Sequence, residues 1–220
     1  MKLFQKLLAL GLLIVSIIFI CTFYIHHQDQ KRIENITRLL EKSAQIEKTF
    51  ASNQQGLSAA SQEEKKLYDK IISYQVDNNQ EIRESVQAVL NSIEKQQQYL
   101  EESKQNFSEA YHTLSTIQPF IQKVRDPKQV KATSSMVQLN EQRYQLYLDY
   151  AKDYAAAIAL NKELYQQIGK EQFNEQELDQ QVEKINRLYQ KLHKKKDQFN
   201  RYTSQFNQKK EQYYRLAKLI

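Results

Sequence analysis

The chain has 220 residues, 40% of them hydrophobic and 26% charged, with 32 Lys+Arg against 26 Asp+Glu for a formal net charge of +6. Three Gly and two Pro exclude collagen, flexible low-complexity polymer and a turn-rich β-sandwich. One Cys excludes a disulfide framework and any zinc site built on several thiolates, and four His with no Trp leave little material for a cofactor pocket.

The first residues differ in kind from the rest. Lys2 and Lys6 precede an apolar run over residues 7–25 that carries no charge. As a helix this run would be about 28 Å long, close to the roughly 30 Å of a bilayer hydrocarbon core. Tyr24, His26 and His27 follow, where amphipathic side chains suit the membrane interface. The layout predicts a cytoplasmic n-region at 1–6, a membrane anchor or signal segment at 7–25, a juxtamembrane linker at 26–32 and an extracytoplasmic helical domain at 33–220.

Three fates of that first segment compete. Signal cleavage wants small residues at the end of the apolar run, but Ile17, Ile18, Phe19 and Ile20 are bulky. Lipid attachment at Cys21 wants a small residue just before it, where Ile20 stands. A retained anchor needs only length and apolarity, so the sequence favours that reading, with Cys21 as a small apolar residue within the span.

Beyond Ile33 the apolar positions recur at spacings of three and four, which keeps one stripe of each helix facing its partners. After Ile36, Leu39, Ile46, Phe50, Leu57, Ala60, Leu67, Ile71 and Tyr74, the clearest tract runs from Ile82 through Val86, Val89, Ile93, Gln96, Leu100, Ser103, Phe107, Ala110 and Leu114 to Ile117. A third stripe runs from Val130 through Asn140, Tyr144, Tyr147, Ala151, Tyr154 and Ile158 to Ile168, and a fourth from Leu178 through Ile185, Leu192, Phe199 and Phe206 to Tyr213 and Ala217. No period-2 alternation is sustained, so no strands are expected.

The interruptions have mechanisms. The cluster of Asp77, Asn78 and Asn79 reads as a turn, with Asn78 and Glu81 as a capping box. Pro119 should end or kink a helix near Gln118. Asp126 before Pro127 reads as an N-cap followed by Pro at the first helical position. Gly169 is a C-cap candidate, and Asn174 with Glu177 a second capping box. Gly56 reads as a kink or an end of the first helix. Helices are therefore predicted near 33–76, 79–118, 127–168 and 175–218, joined by short connections that favour antiparallel neighbours. The expected fold is all-α: a membrane helix followed by an elongated antiparallel bundle of three to four long helices. A parallel coiled-coil dimer of one long rod is the other arrangement, disfavoured by the turn signals.

Tyrosines are abundant on the third and fourth stripes. Those that follow the heptad read as bundle core, with hydroxyls at the wet margin; an aromatic platform for sugars or bases is the functional alternative. Charge is uneven as well. Between Lys184 and Lys218 eleven basic residues face only Asp197 and Glu211. Lys191, Lys194, Lys195, Lys196 and Arg201 are candidate contacts for an anionic polymer, such as a phosphate-bearing wall polymer, or for lipid headgroups. The plain alternative is a solvated face balancing acidic neighbours. On the outer side of a membrane no nucleic-acid partner is expected.

Enzyme signatures are lacking: there is no phosphate-cradling Gly loop, no G-x-S-x-G elbow and no H-E-x-x-H pair. His26 and His27 are adjacent and point apart on a helix, and His112 and His193 are isolated. The sequence predicts no catalytic residue, no metal site, no cofactor and no enzyme activity.

Particular residues also carry a resemblance. Leu67, Tyr68, Asp69, Lys70, Ile71 and Ile72 form one segment, and Arg143 and Tyr144 through Tyr154 to Lys162, Glu163, Leu164 and Tyr165 a second. Asn186, Arg187, Leu188 and Tyr189, then Phe199, Asn200, Arg201, Tyr202 and Thr203, then Asn207, Tyr213 and Tyr214 form the third. In this order they resemble the YkyA-like lipoproteins of Gram-positive bacteria, a family proposed to bind the cell wall, over nearly all of the chain after Ile33. The resemblance implies a surface-anchored, elongated helical domain with a wall-binding role, carries no catalytic residues across, and maps lipid attachment onto Cys21. The functional expectation is a membrane-anchored, non-enzymatic envelope protein that binds wall polymers. A structural or regulatory protein that docks another envelope protein through a helix face is the competing class.

Overall fold

The computed structural model describes the backbone of residues 2–73, 79–170 and 174–220, and within these the side chains from Thr22 onward except Asn79 and Glu175. Four long helices and one short one make up the fold: α1 (Lys2–Ser73), α2 (Asn79–Ser115), α3 (Gln118–Ile121), α4 (Pro127–Ile168) and α5 (Glu175–Leu216). Among the described residues there is no strand. The architecture is an all-α bundle in which α1 packs on α2, α2 on α4 and α4 on α5, with α1 and α5 as the outer pair.

The stripes become the core. Along the α2 stripe, which carries on past the helix end to Ile117, Val86, Val89, Ile93, Gln96, Leu100, Ser103, Phe107, Ala110, Leu114 and Ile117 are buried, and Ile82 is partly so. Two apolar clusters result. The larger joins Phe50, Leu57, Val89, Ile93, Phe107, Tyr147, Tyr154, Ile158 and Leu192. The second, at the other end, joins Ile36, Leu40, Leu114, Ile121, Met136, Phe206 and Tyr213. There α5 meets α1: the Tyr213 hydroxyl donates to the Ile33 carbonyl at 3.5 Å.

Small residues let α1 and α2 approach. Ser43 Oγ donates to the Ala110 carbonyl at 2.9 Å, and Ser92 Oγ to the Ala60 carbonyl at 2.7 Å. Gly56 belongs to the same contact. A Cβ there would stand 2.6 Å from the Tyr99 ring, so the glycine accommodates the neighbour and α1 runs through it unbroken. The helix end considered at Gly56 does not occur.

Helix ends follow local chemistry. Asp126 caps α4, accepting from the Lys128 amide at 2.8 Å with Pro127 in the first turn. Asn174 caps α5, accepting from the amides of Gln176 and Glu177 at 2.9 and 3.4 Å. Gly169 is the C-cap of α4, with a right-handed φ of −70°. Two boundaries differ from expectation. A Pro ring at 119 crowds the carbonyl four residues earlier, so α2 stops at Ser115 and a short helix, α3, forms around Pro119. At the far end α5 closes at Leu216, where Lys218 turns left-handed (φ 58°) and the Leu219 amide reaches the Tyr214 carbonyl at 2.9 Å. The box drawn on Asn78 and Glu81 falls outside the described residues.

Residues 26–32, expected as a linker, are helical and continuous with the bundle portion of α1. Among the described residues no helix is long and apolar enough to cross a membrane. Most of the expected anchor at 7–25, namely residues 7–21 with Cys21, lies outside the residues whose side chains are described.

Candidate functional site: a tyrosine-lined groove and a basic helix

Helices α1 and α5 are the two ends of the packing order α1–α2–α4–α5, and a groove of about 930 Å³ lies between them over the middle of the bundle. One wall is α1 from Phe50 to Tyr68, the other is α5 from Val182 to Asn200, and α4 forms the floor. Six tyrosines line it: Tyr68, Tyr147, Tyr150, Tyr154, Tyr165 and Tyr189. Tyr147, Tyr154 and Tyr165 are buried, whereas Tyr68, Tyr150 and Tyr189 are partly exposed. The heptad reading of the tyrosines thus holds for the first three, and the others supply ring surface at an open margin.

A hydrogen-bond network organises the floor. Glu64, only 6% exposed, accepts from Gln96 Nε2 at 2.7 Å, and Gln96 Oε1 accepts from the Tyr154 hydroxyl at 3.2 Å. Burial pushes the Glu64 carboxyl above its ordinary range, against the opposing pull of hydrogen bonds from Gln96 and Tyr165. Gln54 Nε2 donates to the Tyr147 hydroxyl at 3.1 Å, and Asn161 Nδ2 to that of Tyr189 at 3.0 Å. Burial raises the phenols too, Tyr154 to about 12. The Tyr150 hydroxyl has no hydrogen-bond partner among the described residues, and burial is the first cause of its raised pKa.

Over the groove-lining Phe199 lies a buried arginine that the sequence singles out only through the family resemblance. Arg143 on α4 is 1% exposed. Its guanidinium grips Glu47 of α1 through two bonds of 2.7 and 3.1 Å and donates from Nε to Thr203 Oγ1 of α5 at 3.1 Å. It lies over the rings of Phe206, Phe107 and Phe199 at 4.7, 5.2 and 5.5 Å. One side chain thereby ties three helices together. Besides the resemblance, the sequence's signal for it was a basic residue one turn before Tyr147.

The five basic residues singled out on α5 do not act as one patch. Lys195 and Lys191 turn toward α4 and share Asp153, at 2.7 and 3.1 Å, and Lys195 also donates to the Asp149 carbonyl at 3.0 Å. Burial would raise the Asp153 carboxyl, but the two ammonium groups outweigh it and hold the group below its usual range. For Lys191 and Lys195 the charge-balancing alternative describes what is seen. Lys194, Lys196 and Arg201 are exposed with no ion-pair partner among the described residues, and Lys196 lines the groove. Lys194 and Arg201 stand one heptad apart, about 10 Å along the outer face of α5. Arg187, one heptad earlier, is exposed and pairs with Glu183 on its own helix.

His26, His27, His112 and His193 are exposed, and none lines the groove. Among the described residues no group of three His, Cys, Asp or Glu side chains is placed to hold a metal ion. What the groove offers is aromatic surface with amide, hydroxyl and carboxyl groups spaced along it.

The fold and site together define an elongated all-helical bundle with a lateral polar-aromatic groove and a basic outer helix. The chain belongs to the YkyA family, described as "Putative cell-wall binding lipoprotein", whose profile matches residues 31–216. It is similar to the uncharacterized lipoprotein YkyA of Bacillus subtilis (strain 168), with 26% identity over 139 residues, covering 63% of this chain and 62% of that protein. In fold it is similar to the crystal structure of a conserved protein of unknown function from Staphylococcus aureus, at a TM-score of 0.61 and 18% identity, covering 84% of this chain and 93% of the other. A lipoprotein family implies attachment to the membrane at the cell surface.

Proposed function

We propose that this protein is a membrane-attached, non-enzymatic component of the cell envelope that binds anionic cell-wall polymers. Attachment runs through lipid on Cys21 or through the retained apolar segment, and membrane lipid is the first partner in either case. The observation that supports polymer binding is the outer face of α5, where Lys194 and Arg201 are exposed without ion-pair partners among the described residues while their neighbours Lys191 and Lys195 are spent on α4. Two such cations one heptad apart on a rigid rod suit a polymer with repeating phosphates, and the attraction is screened by salt.

The test is co-sedimentation of the full chain, in detergent, with cell-wall sacculi that keep or lack their anionic polymer. Retention should fall as ionic strength rises and should drop when Lys194→Glu and Arg201→Glu are combined. Equal retention at low and high salt by both proteins, or equal retention on stripped walls, refutes this mechanism. Crosslinking in intact cells separates the competing class: a discrete protein adduct, with none to wall fragments, indicates docking on another envelope protein.

A further inference from the structure

The basic face of α5 makes no use of the groove, which carries a separate set of groups. Its α1 wall, from Phe50 to Tyr68, is about 27 Å long at about 1.5 Å per residue. A groove that follows one helix over this length can take an extended chain lying along α1.

The lining narrows the chemistry further. Gln54, Ser58, Ser61, Gln62, Asn161 and Asn200 interrupt the apolar surface along its whole length. An acyl chain would strip water from these groups and return no hydrogen bonds. An extended peptide has no strand edge to pair with, because the walls are helices whose backbone groups are already bonded. A polyproline segment could lie on the tyrosines but lacks backbone donors for the lining oxygens of Ser58, Ser61, Glu64 and Asn200. A polyphosphate would meet that same Glu64, with only Lys65 and Lys196 among the lining residues to offset it. A chain of sugars satisfies all of these conditions. Its C–H faces pack on the negative faces of aromatic rings, and its hydroxyls both donate and accept.

We propose that the groove between α1 and α5 binds an extended chain of uncharged sugars. The rings pack on Tyr68, Tyr150 and Tyr189, and the hydroxyls are read by Glu64, Asn200 and the unpartnered Tyr150 hydroxyl. This deepens the wall-binding reading and rests on it for the kind of chain to expect, but it uses different residues from the α5 cations.

The experiment uses the full chain in detergent and a soluble, neutral β-1,4-linked N-acetylglucosamine oligomer as probe, with binding followed by calorimetry and by the rise in unfolding temperature. Binding should be nearly independent of salt. Tyr150→Ala combined with Tyr189→Ala should weaken it by about tenfold, the order expected for loss of aromatic contacts. Glu64→Gln, which keeps the shape of the site, should weaken it as well while circular dichroism shows the helices intact. Lys194→Glu with Arg201→Glu should leave it unchanged. Absence of oligomer binding, or binding indifferent to both Glu64→Gln and the tyrosine pair, overturns the groove assignment. Loss of oligomer binding on displacement by a proline-rich peptide that binds more tightly overturns it too. If salt-sensitive retention on walls persists in those cases, the α5 reading stands without the groove. If oligomer binding is found but wall retention ignores salt, the groove stands and the α5 reading falls.

Discussion

Removing the carboxylate of Glu47 should destabilise the bundle more than its partly exposed position suggests, because it strands Arg143. The guanidinium is 1% exposed, and Glu47 supplies two of its bonds. With leucine at 47, Asn140 at 3.4 Å, Thr203 at 3.1 Å and three aromatic rings remain, and none of these carries a negative charge. Breaking a buried pair from one side costs about 3–5 kcal/mol. Glu47 is 23% exposed, so water softens the loss and the lower end applies, about 3 kcal/mol. For a chain of this size that is a fall of roughly 6–12 °C in unfolding temperature. The double variant Glu47→Leu with Arg143→Met removes both charges and should recover most of the loss, since well-packed apolar replacements of a buried pair are often neutral. Thermal and urea unfolding followed by far-ultraviolet circular dichroism, assembled as a double-mutant cycle, measures the coupling. Additive losses in the double variant, or a loss below about 1 kcal/mol for Glu47→Leu, would show that the pair is not the tie described here.

Two further outcomes follow from the packing. Burial raises the phenols of Tyr154 and Tyr213 to about 12, and those of Tyr147, Tyr150, Tyr165 and Tyr189 also upward. An unfolded tyrosine ionises near pH 10, so above that pH the unfolded chain holds fewer protons than the fold, and stability falls as pH rises from about 10 to 12. Tyrosinate absorbance and loss of helix should appear together in that window; ionisation near pH 10 with the helices intact would contradict the burial argument. At Gly56, alanine should gain about 1 kcal/mol from helix propensity yet lower the unfolding temperature, because its Cβ would stand 2.6 Å from the Tyr99 ring. Tyr99→Leu in the Gly56→Ala background should restore it, and a more stable Gly56→Ala single variant would show that the ring moves aside freely.

Much of the fold was legible because heptad spacing and capping are local properties. The α2 stripe from Val86 to Ile117 is buried as its period requires, and Asp126 and Asn174 cap the helices they precede. What spacing does not encode is which stripes meet. A stripe says that a helix has a buried face, but the gap between α1 and α5 arises only because α4 takes α5 and α2 takes α1. The same limit explains the basic residues. Along the sequence Lys194 and Lys195 look alike, yet the rotation of about 100° between neighbouring helix residues puts Lys195 on Asp153 and leaves Lys194 in solvent. Arg143, quoted for the resemblance, was not recognised as core because arginine on a stripe is ordinarily an interruption, and only the helices it ties together turn it into a core residue. Gly56 was read as a breaker because the ring that demands it lies on a different helix.

Helix α1 is continuous from Thr22 to Ser73, a run of about 77 Å at helical rise, and the groove opens beside it at Phe50, about 42 Å from Thr22. A protein held at a surface by a limp leash samples a hemisphere, and its binding site meets targets at every depth. With the attachment proposed above, a stiff shaft would do the opposite and confine the groove to a thin shell whose altitude is written in residue count. Inserting or deleting whole heptads between Thr22 and Asp29 would raise or lower that altitude by about 10 Å per heptad while preserving the direction in which the groove faces.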